Sequence, residues 1–397
     1  MDSIFFYRNS ATAPADGPLA GLKIAVQPTV SVAGWPADAG SKALANFTAL
    51  EDATVVSRLV QSGAFICGST LGSEFGFGLA ESRAGEAVKH NIAAAELMLD
   101  MMGESRLAAC GAGVCGFKPS YGLVSHFGLI GLIPSLEVCG LLAGSCQTIR
   151  HLLRALAGPD DKDFSLPDEK PGEFYAPAPE PSKTTIGVIA EAQSALPDAE
   201  KSKFRASVAA LQKAGFAVRE VSFPDWPLFL PIHKIVGSVE ASSAAGRYDS
   251  VRYGERAPGA RNWNEMYLAS RGAAFGTLLK SFLIQGAYFQ FQRYDAYENA
   301  CRIRARLVAD MKKLTDAVDF LVLPVSGGAS EERPRTLDET YGRFAATAFA
   351  NVTGQPALVL PPASAAEAPF QLVGPRLGDA ALLALGDFLL SVREKGK

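Results

Sequence analysis

The sequence predicts an α/β protein. Short apolar runs of strand composition alternate with longer segments whose apolar residues recur every three or four positions. Between Thr184 and Phe223 the order strand, helix, strand is legible residue by residue. The 397 residues are 48% hydrophobic and 20% charged, which is ample apolar material for a large core.

Each element follows from its local pattern. LKIAV at 22–26 reads as a short buried strand. A helix starts at Glu51-Asp52 and runs through Ser62, with Val55, Val56, Leu59 and Val60 on one face. AFICGST at 64–70 is the next strand. Residues 86–102, EAVKHNIAAAELMLDMM, set Val88, Ile92, Ala95, Leu99 and Met102 in a helical stripe. They are rich in strong helix formers and contain no glycine or proline, so one continuous helix is predicted. The alternative is a strand at 95–99, imposed by tertiary context.

Residues 159–183 are rich in Pro, Asp, Glu and Lys and read as an exposed linker. Then come a strand at 184–191, a helix at 198–214 ending before Gly215, and a strand at 217–223. Residues 273–315 are largely helical. They carry an aromatic set (Tyr288, Phe289, Phe291, Tyr294, Tyr297) that reads as core or partner surface. A strand at 319–325, a helix near 338–350, strands at 356–362 and 370–374, and a helix from about Asp379 complete the chain.

Several function classes are disfavoured. The net charge of −3 offers no basic excess for direct nucleic-acid binding. No apolar run approaches the roughly 18 residues of a membrane span. The opening MDSIFFYRNS lacks the basic n-region of a secretory signal, so a cytoplasmic protein with reduced thiols is expected. Six cysteines without a CxxC pair and four scattered histidines imply no metal site, and no motif implies a cofactor.

Specific motifs carry a resemblance. GPLAGLKIAV, EDATVVSRLVQSGAFICGSTLGSEF and VCGFKPSYGLVSHFGLI resemble the amidase-signature family. VEASSAAGRYDSVRYGERA (239–257), NEMYLASRGAAFG (264–276), YDAYENACRIRARLVADM (294–311) and FQLVGPRLGDAALL (370–383) resemble the A subunit of the tRNA-dependent glutamine amidotransferases. The resemblance implies a mixed central β-sheet covered on both faces by helices. It implies an N-terminal arm (1–16), a first half of the domain (17–158), the linker (159–183) and a second half (184–397).

The departures from the family decide the expected function. Its active members use a lysine, a bridging serine and a nucleophilic serine. At those positions this chain has Gln27, Ala80 and Glu104. Ser82 is the alternative for the bridging position, because a stretch after Phe75 is absent. A glutamine amide is neutral and cannot serve as a base. Arg304 matches the arginine that holds a substrate carboxylate in the family, while Phe344 replaces its acidic partner. Ser135-Leu136-Glu137-Val138 stands for Ser-Leu-Asp-Gln, and the family's N-terminal helical segment is mostly missing.

Three functions remain open on sequence. The first is an inactive pseudoamidase that binds a partner: an amidotransferase-type or amidase-family subunit, or a second copy. A small amide or carboxylate ligand is the other object of that binding. The second is an amidase or glutaminase with a rearranged nucleophile, for which Cys110, with His90 or His126, is the candidate. The third is a product of gene decay, against which the intact apolar patterning argues. Glu104 itself has two readings: a carboxylate plugging a former oxyanion hole, or an exposed glutamate at a helix end. Arg304 is equally readable as a ligand clamp or as a salt-bridged structural residue.

Overall fold

The computed structural model describes residues 4–11, 16–166, 174–194, 196–325, 336–362 and 367–395. The first half contains β1 (Phe5–Arg8), β2 (Lys23–Val26), α1 (Thr54–Gln61), β3 (Phe65–Thr70), α2 (Glu86–Lys89), β4 (Ala95–Asp100), α3 (Glu104–Ala112), β5 (Cys115–Lys118), β6 (Val138–Ala143) and α4 (Cys146–Leu156). The second contains β7 (Thr185–Ile189), α5 (Ala190–Ser194), α6 (Asp198–Lys213), β8 (Ala217–Val221), α7 (Phe229–Ala244), α8 (Trp263–Ala274), α9 (Thr277–Phe291) and α10 (Tyr294–Ala317). It closes with β9 (Phe320–Pro324), α11 (Leu337–Arg343), α12 (Phe349–Thr353), β10 (Ala357–Leu360), β11 (Phe370–Val373) and α13 (Asp379–Lys395).

All these strands join one mixed sheet in the order β1-β3-β2-β4-β6-β5-β10-β11-β9-β7-β8. β3, β2 and β4 run parallel, as do β9, β7 and β8, while the middle of the sheet is antiparallel. The β5–β10 pairing, Phe117 opposite Leu358, stitches the two halves of the chain together.

Strand alternation sorts the core into two layers. Leu321, Leu323, Ala357 and Val359 face a layer formed by α7, α9, α10 and α12, including Phe229, Phe282, Leu307 and Phe349. Phe320, Val322, Leu358 and Leu360 face the opposite layer, formed by α1, α4, α6 and α13, including Leu59, Leu152, Phe204 and Leu385. Helices therefore cover both faces, the arrangement expected of the amidase-signature fold.

The continuous helix over 86–102 does not form. α2 stops at Lys89, Asn91 turns the chain at φ 55°, and 95–100 becomes β4. Asparagine tolerates the left-handed conformation better than most residues, so it makes the break that a glycine would. β4 lies between β2 and β6 and every one of its residues is buried. Six residues of ladder and two packed faces outweigh helix propensities of a few tenths of a kcal/mol each.

The helix near 338–350 forms as two pieces, α11 and α12, separated by a turn at Phe344. The start of the 159–183 linker is anchored. Asp160 accepts from Thr54 Oγ1 at 2.6 Å and Ser125 Oγ at 2.5 Å, and Asp163 meets His126 Nδ1 at 3.0 Å. Linker residues 167–173, and 1–3 and 12–15 of the N-terminal arm, lie outside the described residues. The rest of the arm supplies β1, an antiparallel edge strand on β3.

The strand assignment makes Leu97 a discriminating residue. On a helix it would lie off the apolar stripe, whereas in β4 it is fully buried. Leu97→Ala is expected to cost about 2–4 kcal/mol, the range for truncating a core leucine. Urea denaturation checks this, and a neutral result would contradict the strand.

Candidate functional site

The site is the turn between β4 and α3. Gly103 adopts φ +126°, and a Cβ there would lie 2.2 Å from Thr347 Oγ1, so only glycine fits. Three side chains from the second half pin three consecutive carbonyls of this turn. Asn351 Nδ2 donates to Asp100 O at 3.0 Å, His233 Nε2 to Met101 O at 2.8 Å, and Thr347 Oγ1 to Met102 O at 2.7 Å. In a trans peptide the N–H points opposite to the C=O. Holding the carbonyls outward therefore aims the next three N–H groups inward.

Glu104 fills the point where they converge. Its Oε2 accepts from Met101 N at 2.8 Å, Met102 N at 2.8 Å and Gly103 N at 3.1 Å, and its Oε1 accepts from Gly78 N at 3.2 Å. The residue has no solvent exposure. Of the two readings of Glu104, the exposed helix-end glutamate is overturned. The carboxylate occupies a nest of backbone donors. Burial, and then the neighbouring Asp100 carboxylate, push Glu104 up to about 7, against the pull of the backbone N–H groups.

A buried polar network supports the turn from below. Arg106 meets Asp100 at 3.2 Å, both without exposure, and donates to Asn351 Oδ1 at 2.6 Å, Thr347 O at 2.8 Å and Gln371 Oε1 at 3.2 Å. Asp100 also accepts from Ser105 Oγ at 2.5 Å and Asn351 Nδ2 at 2.9 Å. Burial works against the Asp100 charge, but Arg106 and these donors hold it below the ordinary carboxylate range. His233 lies wholly inside. Its Nε2 is a donor, so its Nδ1 accepts from the Tyr341 hydroxyl at 3.1 Å. Burial pulls it down to about 4.

The other sequence-predicted residues are dispersed around this turn. Gln27 is buried, and its Nε2 donates to Ser82 Oγ at 3.0 Å. Ser82, rather than Ala80, is thus the hydroxyl beside position 27. The Ala80 carbonyl accepts from Ser73 Oγ at 2.9 Å, and Ala80 lines a pocket of about 380 Å3 that also includes Lys42, Glu74, Phe77 and Phe275. Gln27 and Glu104 are not part of that pocket's lining.

Arg304 is engaged by the protein. It donates to Val352 O at 3.1 Å, Ser135 Oγ at 2.6 Å and Ser135 O at 2.6 Å, while Glu240 holds Ser135 from the other side at 3.0 Å and 2.5 Å. Phe344 is buried in the core. Glu137 accepts from Ile133 N at 2.8 Å. Cys110 is half buried, with its thiol pushed up to about 12 by burial. His90 pairs with Glu86, and both His126 nitrogens meet Asp163 and Glu137 O; no hydrogen bond joins either candidate base to Cys110 among the described residues. Among the described residues no cluster of His, Cys, Asp and Glu could hold a metal ion.

Sequence reasoning missed His233, Thr347, Asn351 and Gln371. One signal was available: Thr347 and Asn351, four apart, are polar residues in the otherwise apolar run 344–352. His233 and Gln371 carried none: His233 stands beside Lys234 on a helix, and Gln371 is a single polar residue in an apolar strand.

The same fold occurs in a known family. The profile of the Amidase family matches residues 7–96 and 100–383. The chain belongs to the amidase family. Within it, the chain is 33% identical to the A subunit of the glutamyl-tRNA(Gln) amidotransferase of Natronomonas pharaonis, covering 94% of this chain and 96% of that protein. The corresponding protein of Symbiobacterium thermophilum is 29% identical, over 93% of this chain but 82% of that one. The Natronomonas relative is thus matched nearly end to end. Among solved structures, the A subunit of the Thermotoga maritima glutamyl-tRNA(Gln) amidotransferase superposes with a TM-score of 0.78 at 20% identity, covering 97% of this chain and 86% of that one. A chain from a structure described as an unexpected vestigial protein complex gives 0.80 at 20%, covering 98% of this chain and 91% of that one.

The neutral, buried His233 sets a pH dependence. Its lowered folded pKa means that the unfolded chain binds the proton more readily, so its contribution is lost as pH falls from about 6.5 toward about 4. Wild type is expected to lose more stability between pH 7 and pH 5 than His233→Gln, which keeps an uncharged donor for Met101 O. Urea midpoints at the two pH values check this.

Proposed function

We propose that this chain is a catalytically silent member of the amidase family that acts by binding a partner subunit. The observation that carries this reading is the occupancy of the β4–α3 turn. Glu104 stands where the family resemblance puts the nucleophile, and its carboxylate saturates the N–H groups that would otherwise be free for a substrate oxyanion. Gln27, at the lysine position, is a neutral amide bonded to Ser82. A hydrolase of this type needs an activated nucleophile and a base, and these positions supply neither.

The rival reading, an amidase using Cys110, is disfavoured by a thiol held in its neutral form with no histidine against it. The ligand-clamp role for Arg304 is weakened because its fork is already bonded to Ser135 and Val352.

Binding to another subunit has two supports. Relatives at about 30% identity are named as amidotransferase subunits, and one structural neighbour comes from a structure described as a protein complex. The second support is a surface. Ile284, Tyr288 and Phe291, spaced i, i+4, i+7 on α9, are 69%, 50% and 72% exposed, and Tyr294 follows at 54%. Aromatic residues of this kind are enriched at protein interfaces and are unusual as a contiguous exposed stripe.

Two outcomes test the reading. Purified protein is expected to hydrolyse glutamine, asparagine and aryl amides no faster than buffer. A turnover above about 0.01 per second that tracks the protein through purification would overturn the silent assignment. Sedimentation at micromolar concentration and native co-purification are expected to show an assembly, with a different protein or a second copy. Ile284→Glu with Phe291→Glu is expected to abolish it while leaving the thermal midpoint within a few degrees, as for other exposed positions.

A further inference from the structure

The geometry points to the β4–α3 turn as a carboxylate-binding nest whose resident ligand is the protein's own Glu104. Vacated, the nest takes a short aliphatic monocarboxylate. This inference rests on the reading of Glu104 as a plug.

Four backbone N–H groups converge on one carboxylate, three of them on Oε2 and one on Oε1. The N–H groups of residues 101–103 do not depend on Glu104 for their direction. Asn351, His233 and Thr347 hold their peptides by the carbonyl ends. Those three side chains come from α12, α7 and the turn before α12, and are themselves buried. Removing the glutamate side chain therefore leaves the donors of residues 101–103 pointing at an empty space. A buried N–H without a partner is costly, so the emptied site favours any acceptor that fits.

The donor set defines the ligand chemistry. The groups bonded to Glu104 among the described residues are backbone N–H groups, which select an acceptor with no hydrogen to donate at either position. The two terminal nitrogens of the nearby Arg106 are committed to Asp100, Asn351, Thr347 and Gln371, and only its buried Nε is without a partner. A carboxylate offers two acceptor oxygens at the spacing the nest already holds. An amide would set its NH2 against Gly78 N–H or against the three donors of residues 101–103.

The seal defines the ligand size. Glu104 has no solvent exposure, Gly103 packs on Thr347, and Gly78 closes over Oε1. Glu104→Ala deletes Cγ, Cδ and both oxygens, which is the heavy-atom content of acetate. Glu104→Gly also deletes Cβ, which gives the content of propionate. Cavities in close-packed interiors discriminate at the level of one methylene, so the preferred acid should follow the substitution. The burial that disfavours the Glu104 charge disfavours a free carboxylate equally, so binding is weak.

The experiment is thermal unfolding of full-length Glu104→Ala and Glu104→Gly at about pH 6.5 in constant ionic strength. The probes are sodium acetate, propionate, acetamide and chloride. Glu104→Ala is expected to unfold about 5 °C below wild type, from the loss of several buried hydrogen bonds. Acetate at about 0.1 M should restore part of that loss, rising with its concentration as mass action requires of a ligand that binds only the folded chain. Propionate should restore less in Glu104→Ala and more than acetate in Glu104→Gly. Acetamide and chloride should do little in either, and wild type should not respond.

Equal effects of chloride and acetate, or an acetate shift in wild type of the same size, would overturn the inference. Should Glu104→Ala fail to fold in chloride, refolding yield in acetate against chloride replaces the midpoint, and equal yields would overturn it. Amide hydrolysis by wild type would instead refute the silent-enzyme reading, whatever the outcome with acetate.

Discussion

Three pinned carbonyls govern the centre of this protein. Asn351, His233 and Thr347 each hold one peptide of the β4–α3 turn by its oxygen, and the geometry of the trans peptide does the rest. The N–H groups have no choice but to converge. A convergent set of buried donors needs an acceptor, and Glu104 supplies one from the residue immediately after the turn. The arrangement is self-consistent: the N–H groups that the pinned carbonyls turn inward are bonded within the turn itself.

The pins also connect the two halves of the chain. The turn belongs to the first half, and all three pinning side chains belong to the second. Arg106 extends the connection, running from Asp100 to Asn351 and Gln371 across more than two hundred residues of sequence. A buried ion pair of this kind is a weak source of net stability, because desolvation offsets most of the attraction. Breaking it is another matter, since the partner is left charged and buried. The network therefore acts as a specification: with β5 beside β10, its groups find partners across the two halves, Arg106 Nε excepted.

Around this centre the positions singled out by the family resemblance have separate surroundings. Gln27 and Ser82 bond to each other, Ala80 lines a surface pocket, and Arg304 fastens the Ser135 loop against α12. Glu104 instead takes its hydrogen bonds from the backbone of its own turn and of Gly78. The scaffold of the family is present, but a fold does not by itself carry an activity, so function rests on the site rather than on the scaffold.

What the sequence by itself determined is considerable. Motifs along the chain placed it in the amidase family, and short apolar runs identified most strands. β7, α6 and β8 form within a few residues of where local pattern puts them, because a strand–helix–strand unit is specified by contacts close in sequence. Tertiary structure decided the rest. Residues 95–100 have helix composition and become a strand, because the gap between β2 and β6 satisfies their backbone and buries both faces. Asn91 in the left-handed region makes that possible where no glycine was visible. The environment of Glu104 was equally hidden: its burial depends on peptides aimed by residues 233, 347 and 351, far away along the chain. Local pattern reports the preferences of neighbours, and a nest assembled by distant side chains is set by packing, which the pattern does not contain.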